Sequence, residues 1–397
     1  MRRIDLRKAQ AARLNTIRDI NRQIVLNYVR EREPISRAEI ARETELQRST
    51  ISAIVDSLTI EGLIEEIGEG ESTGGRRPTL LRLRTAGAMA IGVAITPTVT
   101  IVATSDLAGR VIEQKEFLTD ADPDKTLYEI IKLVQEFSAK NKGSLEAIGI
   151  SLPGLVDPST GSAIYIPYFK WRDVPVAETI IAATGLPVTI DNDANALALA
   201  ELWFGRPEVC DARDFILVFV AEGVGTGIIF DGQVYRGERG AAGEFGHMIV
   251  GTDAPVACSC GNYDCWEAFS SEGAAITRYF NAKGIAPSRN LGIKSLVDLA
   301  LEGEKNARTA LIETANYLGI GISNLIVGFS PEAVIVGGEI TRAWSLIEGA
   351  LSETMERSVR RGLPSARILA STLGPQPILM GALSLVLARK FASAFAA

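Results

Sequence analysis

Short apolar segments occur twice in this chain in the same order, and this repetition narrows the possible folds further than any other feature. The two copies predict three consecutive strands each, at residues 90–95, 99–104 and 111–112 and at residues 215–220, 227–230 and 231–235. Each copy is followed by segments in which helix and strand patterns alternate. A chain built from two copies of one α/β unit is predicted to form two lobes, and the cleft between them is the expected ligand site.

The length and composition of the chain are typical of a large folded protein. With 397 residues, of which 47% are hydrophobic, the chain is long enough for about two to four domains. No apolar run approaches the ~20 residues that cross a bilayer. The arginine-rich start also lacks the apolar stretch and small-residue cleavage site of a signal peptide. We therefore expect a cytoplasmic protein without a membrane partner.

Charge is distributed unevenly along the chain. Residues 1–84 carry 16 basic and 13 acidic side chains, whereas residues 85–397 carry 25 basic and 35 acidic ones. This contrast predicts a DNA-binding head at residues 1–84 and an acidic body at residues 85–397. On charge alone, a solvated charged surface explains the contrast equally well.

The head has the helical pattern of a DNA-binding module. A first helix is predicted to end at Pro34 and to bury Leu14, Ile17, Ile20, Ile24 and Tyr28, which recur at three- and four-residue spacing. Ser36 and Glu39 have the spacing of a capping box and predict a short second helix. A third helix is predicted from Gln47 to Gly62, with a core face formed by Ile51, Ile54, Val55 and Leu58.

The third helix and a following hairpin supply the candidate DNA contacts. The polar side chains expected to reach a major groove from the start of this helix are Arg48, Ser49, Thr50 and Ser52. Strands at residues 63–67 and 79–84 enclose a glycine-rich tip, whose Arg76 and Arg77 suit phosphate or minor-groove contacts. The pattern predicts a winged helix-turn-helix, and a three-helix protein-interaction module is the alternative. Four glutamates of the hairpin would repel DNA unless they point away from it.

The only histidine of the chain precedes a cluster of cysteines. His247 lies eleven residues before the first member of the group Cys258, Cys260 and Cys265. Three thiolates and one imidazole match a closed tetrahedral zinc site, in which no position is open for water. We therefore predict one structural Zn2+ per chain, held by the loop at residues 247–265. The alternative, unrelated cysteines and histidine, would leave closely spaced thiols open to oxidation.

Seven segments carry distinctive motifs. They are SLPGLVD at residues 151–157, WRDVP at 171–175, DNDANA at 191–196, GEFGH at 243–247 and CSCGNYDCWE at 258–267 in the body, with SRAEIA at 36–41 and GGRRP at 74–78 in the head. These motifs resemble those of the ROK family of repressors, open reading frames and sugar kinases, nearly from end to end of the chain. The resemblance implies a multidomain protein, with a winged helix-turn-helix followed by a two-lobed α/β fold of the actin-like, sugar-kinase type.

The resemblance also places the family's sugar ligands on residues of this chain. They fall on Asn192, Asp193, Glu244, His247 and Glu267, with backbone near Gly154 lining the same pocket. Carboxylates and an amide suit sugar hydroxyls, which both donate and accept hydrogen bonds. His247 would offer one ring nitrogen to the metal and the other to the sugar. Taken alone, each carboxylate would be interpreted as a solvent-facing loop residue.

Three segments correspond to the phosphate-binding loops of the family's kinases, and each departs from the kinase pattern. Residues 91–98 have alanine in place of an aspartate and Thr-Pro in place of glycines, and proline has no amide for a phosphate. Residues 221–227 begin with Ala-Glu in place of Gly-Thr, and residues 335–339 end on a glutamate in place of glycine. We therefore expect no enzyme and no catalytic residue; in a kinase, Asp193 would be the base.

These patterns favour a sugar-responsive DNA-binding transcriptional regulator, specifically a repressor, whose kinase-like body binds a sugar without phosphorylating it. The expected partners are a double-stranded DNA operator, a small-molecule sugar and further copies of the chain. Helix-turn-helix proteins commonly read paired half-sites as homodimers or higher homo-oligomers. Two alternatives remain open: an active ATP-dependent sugar kinase with a DNA-binding head, and a repressor controlled by a protein partner.

Overall fold

A computed structural model describes residues 14–70, 77–84, 89–141, 144–210, 212–286, 291–358 and 366–391. The helices within these ranges are α1 (Leu14–Arg32), α2 (Arg37–Thr44), α3 (Arg48–Ile60), α4 (Pro123–Lys140), α5 (Val176–Thr184), α6 (Asp193–Phe204), α7 (Pro207–Cys210), α8 (Trp266–Ser270), α9 (Glu272–Lys283), α10 (Ile293–Leu301), α11 (Lys305–Phe329), α12 (Trp344–Ser358) and α13 (Pro377–Phe391). Short 3-10 helices occupy Glu238–Gly240, Glu244–His247 and Glu339–Ala343.

The strands within the same ranges form four sheets. They are β1 (Ile35–Ser36), β2 (Ile64–Glu69), β3 (Thr79–Leu83), β4 (Met89–Ile95), β5 (Val99–Ser105), β6 (Val111–Leu118), β7 (Leu145–Leu152), β8 (Leu155–Asp157), β9 (Ser162–Ile166), β10 (Trp171–Val174), β11 (Val188–Asn192), β12 (Phe215–Val220), β13 (Val224–Phe230), β14 (Gln233–Val234), β15 (Ala333–Gly337) and β16 (Arg367–Ala370).

The first three helices and three strands form the predicted winged helix-turn-helix. The capping box of α2 is present, since the Ser36 hydroxyl accepts from the Glu39 amide and the Glu39 carboxylate accepts from the Ser36 amide over 2.8 Å. Strands β2 and β3 form the wing, and β1, which was not predicted, pairs with the other edge of β3. The buried residues of α3 are the predicted Ile51, Ile54, Val55 and Leu58.

The predicted buried face of α1 is wrong. Ile17 is 51% exposed, and the side chains of Ile24 and Tyr28 are half-buried. The buried residues of α1 are instead Val25, Leu26 and Val29, which join a core that also includes residues of α3 and α13. Two apolar stripes run along α1, and spacing alone favoured the longer one. Tertiary packing selects the other, because Val25, Leu26 and Val29 share a core with residues of α3, β3 and α13.

The body repeats one sheet topology twice, which confirms the duplicated α/β fold. Across the first sheet the strand order is β11-β7-β4-β5-β6, and across the second it is β16-β15-β12-β13-β14. In both sheets three consecutive strands form an antiparallel meander, and two later strands are added parallel to the first of them. The head–body boundary predicted after residue 84 falls at residues 85–88, outside the described ranges, and stays a prediction.

Helices α6 and α13 lie between the two sheets. Helix α13 covers β4 and β7 of the first sheet, and α6 covers β13 of the second. Glycines permit this close packing. A Cβ on Gly149 of β7 would lie 2.0 Å from the Ala382 carbonyl oxygen, and a Cβ on Gly227 of β13 would lie 2.2 Å from the Ala194 carbonyl oxygen. Any larger residue at these two positions would push the helices off the sheets.

The outer faces of the sheets are covered by other helices. Helices α4 and α5 pack on the first sheet, and α9 to α12 pack on the second. Contrary to the expectation from apolar runs, α11 is long and apolar enough to cross a membrane, the one such helix in the ranges that the structure describes. Of its most apolar window, 61% is buried inside the protein. Its apolar side chains belong to the core of the second lobe.

Candidate sugar, metal and DNA sites

One cavity between the lobes brings together the six residues predicted to bind sugar. It has a volume of about 120 Å³ and lies where α6 and α13 begin. Its walls include Gly154, Asn192, Asp193, Glu244, His247 and Glu267. These residues belong to both lobes, so the cavity exists only in the folded chain. Their convergence is a property of the structure, whereas their binding of a sugar stays a prediction.

Asn192 connects α6 to the loop of Gly154. Its Oδ1 accepts hydrogen bonds from the amides of Ala194 and Asn195, which caps α6, and its Nδ2 donates to the Gly154 carbonyl oxygen over 2.9 Å. Gly154 has a φ of +82°, and a Cβ there would lie 2.5 Å from the Tyr165 carbonyl oxygen. The Asn192 amide is thus engaged within the protein and shapes the cavity wall.

Asp193 is the carboxyl group in the first turn of α6. One of its oxygens accepts a hydrogen bond from the Ala194 amide over 2.8 Å. Burial, with smaller contributions from the nearby carboxylates of Glu222 and Glu244, raises the pKa of Asp193 to about 7. Near neutral pH this group therefore exists in both protonation states, so it can accept from a hydroxyl or donate to one.

An ion pair with a buried carboxylate fixes the end of β11 beside the cavity. Asp191 is 1% exposed, binds the Arg236 guanidinium over 2.7 Å and accepts from Nδ2 of Asn195 over 3.2 Å. Burial raises the pKa of Asp191, and Arg236 opposes that shift. Since Arg236 follows β14 of the second sheet, the pair joins the two lobes. The DNDANA motif included Asp191, but nothing in the sequence identified its partner 45 residues away.

The other three sugar-site residues lie on the second lobe. Glu244 and His247 stand at the two ends of a 3-10 helix, and Nε2 of His247 lies 3.5 Å from the Glu244 carboxylate. Burial raises the pKa of Glu244. Glu267, near the start of α8, accepts from the Ser259 hydroxyl over 3.2 Å and lies 2.9 Å from the Cys258 sulfur. The sugar cavity and the cysteine cluster therefore share a wall.

The predicted metal ligands form one cluster. Ligand atoms of His247, Cys258, Cys260 and Cys265 all lie within 4.8 Å of one another. The Cys258 sulfur is 3.4 Å from Nδ1 of His247 and 3.1 Å from the Cys260 sulfur, which is 3.8 Å from the Cys265 sulfur. Tetrahedral zinc with Zn–S bonds of about 2.3 Å separates its sulfur ligands by about 3.8 Å. The four residues thus fit a metal ion of that geometry.

Two further cavity residues, Tyr168 and Glu222, were not predicted as part of the sugar site. Burial and the nearby carboxylates, Glu267 first among them, raise the pKa of the Tyr168 phenol. Glu222 stands at the tip of the β12–β13 hairpin, in the wall of this cavity and of a second one. Of these two residues, the sequence pointed only to Glu222, because residues 221–227 depart there from the pattern of the family's kinases.

The second cavity, of about 760 Å³, is lined by residues from all three segments that depart from the kinase pattern. It contains the carboxylates of Glu222, Glu272 and Glu339. Burial, then Glu222 and Glu339, raises the pKa of Glu272 to about 8. The two cationic side chains of this cavity, Lys294 and Arg342, lie 3.9 and 3.5 Å from the Glu339 carboxylate, which offsets part of their charge.

The turn between β4 and β5 satisfies its own donors. The Thr96 hydroxyl accepts from the amides of Thr98 and Val99 over 3.4 and 3.1 Å, and it donates to the Val99 carbonyl oxygen over 2.8 Å. Pro97 contributes no amide. This turn therefore lacks the unpaired amides that cradle a phosphate in a glycine-rich loop.

The predicted DNA-contact residues that the structure describes lie on the surface of the head. Arg48 and Ser49 are exposed at the start of α3, with Thr50 and Ser52 half-buried beside them, and Arg77 is exposed on the wing. Arg76 lies outside the described residues.

Two of the wing glutamates are neutralised by ion pairs. Glu65 pairs with Arg82 over 2.6 Å, and Glu66 pairs with Arg37 over 3.0 Å. These pairs reduce the repulsion that the glutamates would exert on DNA phosphates.

Both parts of the chain match known families, and similar proteins span nearly all of it. Residues 90–389 match the ROK family, and residues 24–77 match the MarR family. The xylose repressor of Caldicellulosiruptor bescii is 34% identical over 393 residues, which cover 94% of this chain and 96% of that protein. The DNA-binding transcriptional dual regulator NagC of Escherichia coli is 29% identical over 375 residues, with 91% of each chain covered.

Solved structures agree with these matches. A ROK family transcriptional regulator, a homolog of the E. coli MLC protein, superposes with a TM-score of 0.78 at 26% identity, over 95% of this chain and 97% of its own. A ROK family glucokinase from Streptomyces griseus, in complex with glucose and AMPPNP, superposes with a TM-score of 0.67 at 30% identity, over 75% of this chain and 99% of its own. With a winged helix ahead of a two-lobed actin-like body, the chain belongs to the ROK family.

Proposed function

We propose that this protein is a sugar-responsive, DNA-binding transcriptional repressor whose kinase-like body binds a sugar without phosphorylating it. The observation that carries the proposal is the cavity in which six predicted sugar-binding residues meet, in a chain with a winged-helix head. The names of the xylose repressor and NagC support it. The protein would act in the cytoplasm on a double-stranded operator, as a homodimer or higher homo-oligomer that matches paired half-sites.

The chemistry of the cavity suits a sugar. Asp193, Glu244 and Glu267 present carboxyl oxygens that accept hydrogen bonds from hydroxyl groups. Nε2 of His247 provides one further polar contact on the same side. A site that pairs with hydroxyls discriminates strongly among sugars, since a wrong epimer leaves a buried polar group unpaired.

The direct test is a titration of operator DNA, selected from a random library, with the full chain at several concentrations of xylose, glucose or N-acetylglucosamine. We expect one of these sugars to change the DNA affinity. If no sugar of the panel binds the protein or changes its DNA affinity, the proposed function is wrong and control by a protein partner becomes the better hypothesis.

We also propose one structural zinc ion per chain, held by His247, Cys258, Cys260 and Cys265. The four ligand atoms and their spacing support this assignment. A four-ligand site stabilises the loop that supplies it, because its binding free energy adds to folding. His247 presents Nδ1 to the thiols and Nε2 toward Glu244, so the same ligation would hold the imidazole in place at the cavity wall.

The absence of phosphoryl transfer is part of the proposal. Phosphoryl transfer needs nucleotide phosphates and magnesium held in line. In this chain the amides of the β4–β5 turn donate hydrogen bonds to the Thr96 hydroxyl. In addition, Glu222, Glu272 and Glu339 place negative charge in the second cavity. Carboxylates there repel a nucleotide.

The sugar kinase remains the second candidate, because the raised pKa of Asp193, about 7, suits a general base. A coupled assay of ATP turnover over hexoses, pentoses and N-acetylated sugars separates the two functions. Sugar-dependent turnover well above background would favour the kinase.

We predict different effects for the wing and for α3 in DNA binding. Arg77→Ala, alone or with Arg76→Ala, should weaken binding to all sequences. It should also lower the slope of log affinity against log salt by about 1 for each phosphate that the variant no longer binds. Arg48→Ala or Ser49→Ala should change which base is preferred at the contacted position of the operator. The loss of one bidentate hydrogen-bonded pair between a side chain and a base should reduce discrimination against the wrong base by about 1–3 kcal/mol.

Fluorescence anisotropy over several salt concentrations and operator variants measures both effects. Arg357→Ala on the body, where the side chain is 76% exposed, is the matched control and should change neither. A uniform loss of affinity for both sets of variants would show that the assignment of groove and wing is wrong.

A further inference from the structure

The sugar cavity has an extreme charge composition. Four carboxyl groups line it, from Asp193, Glu222, Glu244 and Glu267, and no lysine or arginine is among its lining residues in the part of the chain that the structure describes. Burial raises the pKa of Asp193, and the nearby carboxylates of Glu222 and Glu244 add to that shift. An anionic ligand would lose its hydration and meet only negative charge, which is strongly unfavourable at partly buried sites.

Glu222 occupies a particular place in this arrangement. It stands in the wall between the sugar cavity and the larger second cavity, which also contains Glu272 and Glu339. A charged substituent on a bound sugar would have to pass Glu222 before it reached the second cavity, where Lys294 and Arg342 line the wall together with Glu272 and Glu339.

We infer that Glu222 is a specificity residue that makes the cavity discriminate against sugar phosphates and sugar acids. This inference rests on the proposed function and narrows its ligand class. It explains why a glutamate at the hairpin tip is useful to a sugar sensor. The residue prevents the phosphorylated product of sugar metabolism from occupying a site meant for the free sugar.

The test compares matched pairs of ligands by isothermal titration calorimetry with the full chain. The pairs are xylose and glucuronic acid, glucose and glucose 6-phosphate, and N-acetylglucosamine and its 6-phosphate. For the pair that contains the bound sugar, we expect the neutral member to bind at least about a hundredfold more tightly. Glu222→Gln should reduce that ratio about tenfold by strengthening the binding of the anion relative to the neutral sugar. Glu178→Gln, on the exposed face of α5, should leave the ratio unchanged.

The outcomes separate the inference from the proposed function. Tighter binding of a sugar phosphate or sugar acid than of its neutral partner overturns the inference, while the protein remains a sugar sensor. An unchanged ratio in Glu222→Gln overturns the role of Glu222. Failure of every ligand to bind overturns the proposed function itself.

A second inference rests on a different observation, the course of helix α6. Its first turn carries Asp193 at the sugar cavity, and its last turn carries Trp203 and Phe204, which pack against the core shared by the head and the body. Twelve helical residues span about 18 Å. The guanidinium of Arg30, on α1 of the head, lies 4.6 Å from the centroid of the Trp203 ring. One rigid helix therefore contacts both the ligand cavity and the DNA-binding head.

We propose that α6 transmits occupancy of the sugar cavity to the head through the contact between Trp203 and Arg30. A sugar can change DNA affinity only through an element that has two arrangements, where the sugar and the DNA each bind one arrangement more tightly than the other. Helix α6 meets this condition by direct contact at both ends. Trp203 is a positioning residue and touches neither ligand.

The test measures the coupling factor, which is the ratio of DNA affinities with and without saturating xylose, glucose or N-acetylglucosamine, whichever of the three binds. Trp203→Ala should bring this factor close to 1 from a typical value between about 5 and 150, while sugar affinity and DNA affinity without sugar stay within about threefold of wild type. Trp203→Phe, which keeps an aromatic ring for Arg30, should restore part of the coupling. Tyr128→Ala, at a side chain that is 64% exposed, is the control. An unchanged coupling factor in both Trp203 variants overturns the proposal.

Discussion

Asp193→Asn should lower sugar affinity about ten- to a hundredfold. The carboxyl group faces the cavity, and its side chain accepts a hydrogen bond from the Ala194 amide. Asparagine keeps the size of the side chain but removes the charge and one acceptor, and a hydrogen bond to a charged group is worth about 1.5–3 kcal/mol. Isothermal titration calorimetry with the sugar that binds measures this loss.

The same variant tests whether the cavity is the sensor. DNA affinity without sugar should stay near the wild-type value, because Asp193 lies far from the DNA-contact surface of α3. The sugar concentration that shifts DNA occupancy should rise in parallel with the loss of sugar affinity. Asp124→Asn, at an exposed position of α4, is the matched control. If Asp193→Asn lost sugar affinity yet kept the wild-type sugar response on DNA, the cavity would not be the sensor.

The pH dependence of sugar binding provides an independent readout. Because the pKa of Asp193 is about 7 in the ligand-free protein, raising the pH from about 6 to about 8 converts it from mostly protonated to mostly ionised. The ionised carboxylate of Asp193 accepts a hydrogen bond from a sugar hydroxyl more strongly than the protonated form does. The sugar affinity of the wild type should therefore rise between about pH 6 and about pH 8. Asp193→Asn should lack that rise.

Loss of the metal should have the largest effect on stability. Cys260→Ser removes one of the four predicted ligands at an exposed position, whereas Cys258 and Cys265 are buried. Substitution at an exposed site costs little through packing, so a large loss of stability would report the metal. We expect about one zinc ion per chain in the wild type, less in the variant, and a loss of at least about 3 kcal/mol in the free energy of unfolding.

Metal analysis and thermal unfolding with and without a chelator measure these effects. The chelator should lower Tm by roughly 5 °C or more, and added zinc should restore it. Cys210→Ser, at the cysteine outside the cluster, should keep the full zinc content. Sugar affinity should fall together with zinc content, because His247 belongs to both sites. A purified wild-type protein without zinc, whose stability does not change in chelator, would contradict the assignment.

Much of the architecture follows from local patterns. The two meanders were predictable because apolar runs of strand length, separated by short turns, are encoded within a few residues. The capping box of α2 was predictable for the same reason, since Ser36 and Glu39 are three residues apart. The metal ligands were predictable because three of them lie within eight positions and the fourth is the only histidine.

The sugar site was predictable only in part. Residue types and family resemblance pointed to Asp193, Glu244 and Glu267, and the structure brings them to one cavity. The use of the Asn192 amide to cap α6 and hold the Gly154 loop was not visible, because its partner carbonyl is 38 residues away in the chain. The pairing of Asp191 with Arg236 was hidden by the same kind of separation.

The sequence by itself determined the strands of the two meanders, the three helices of the head, where α2 begins and which residues form the cluster of one histidine and three cysteines, because each of these depends on residues close together in the chain. Only the tertiary structure decided which stripe of α1 is buried, that Glu222 stands between two cavities and that Trp203 reaches Arg30. Those outcomes depend on how two sheets pack around α6 and α13. That packing depends on the close approach of helix to sheet at Gly149 and Gly227, where the contacting residues are far apart in sequence. Such contacts produce no periodic pattern along the chain, so they cannot be predicted from the spacing of neighbouring residues.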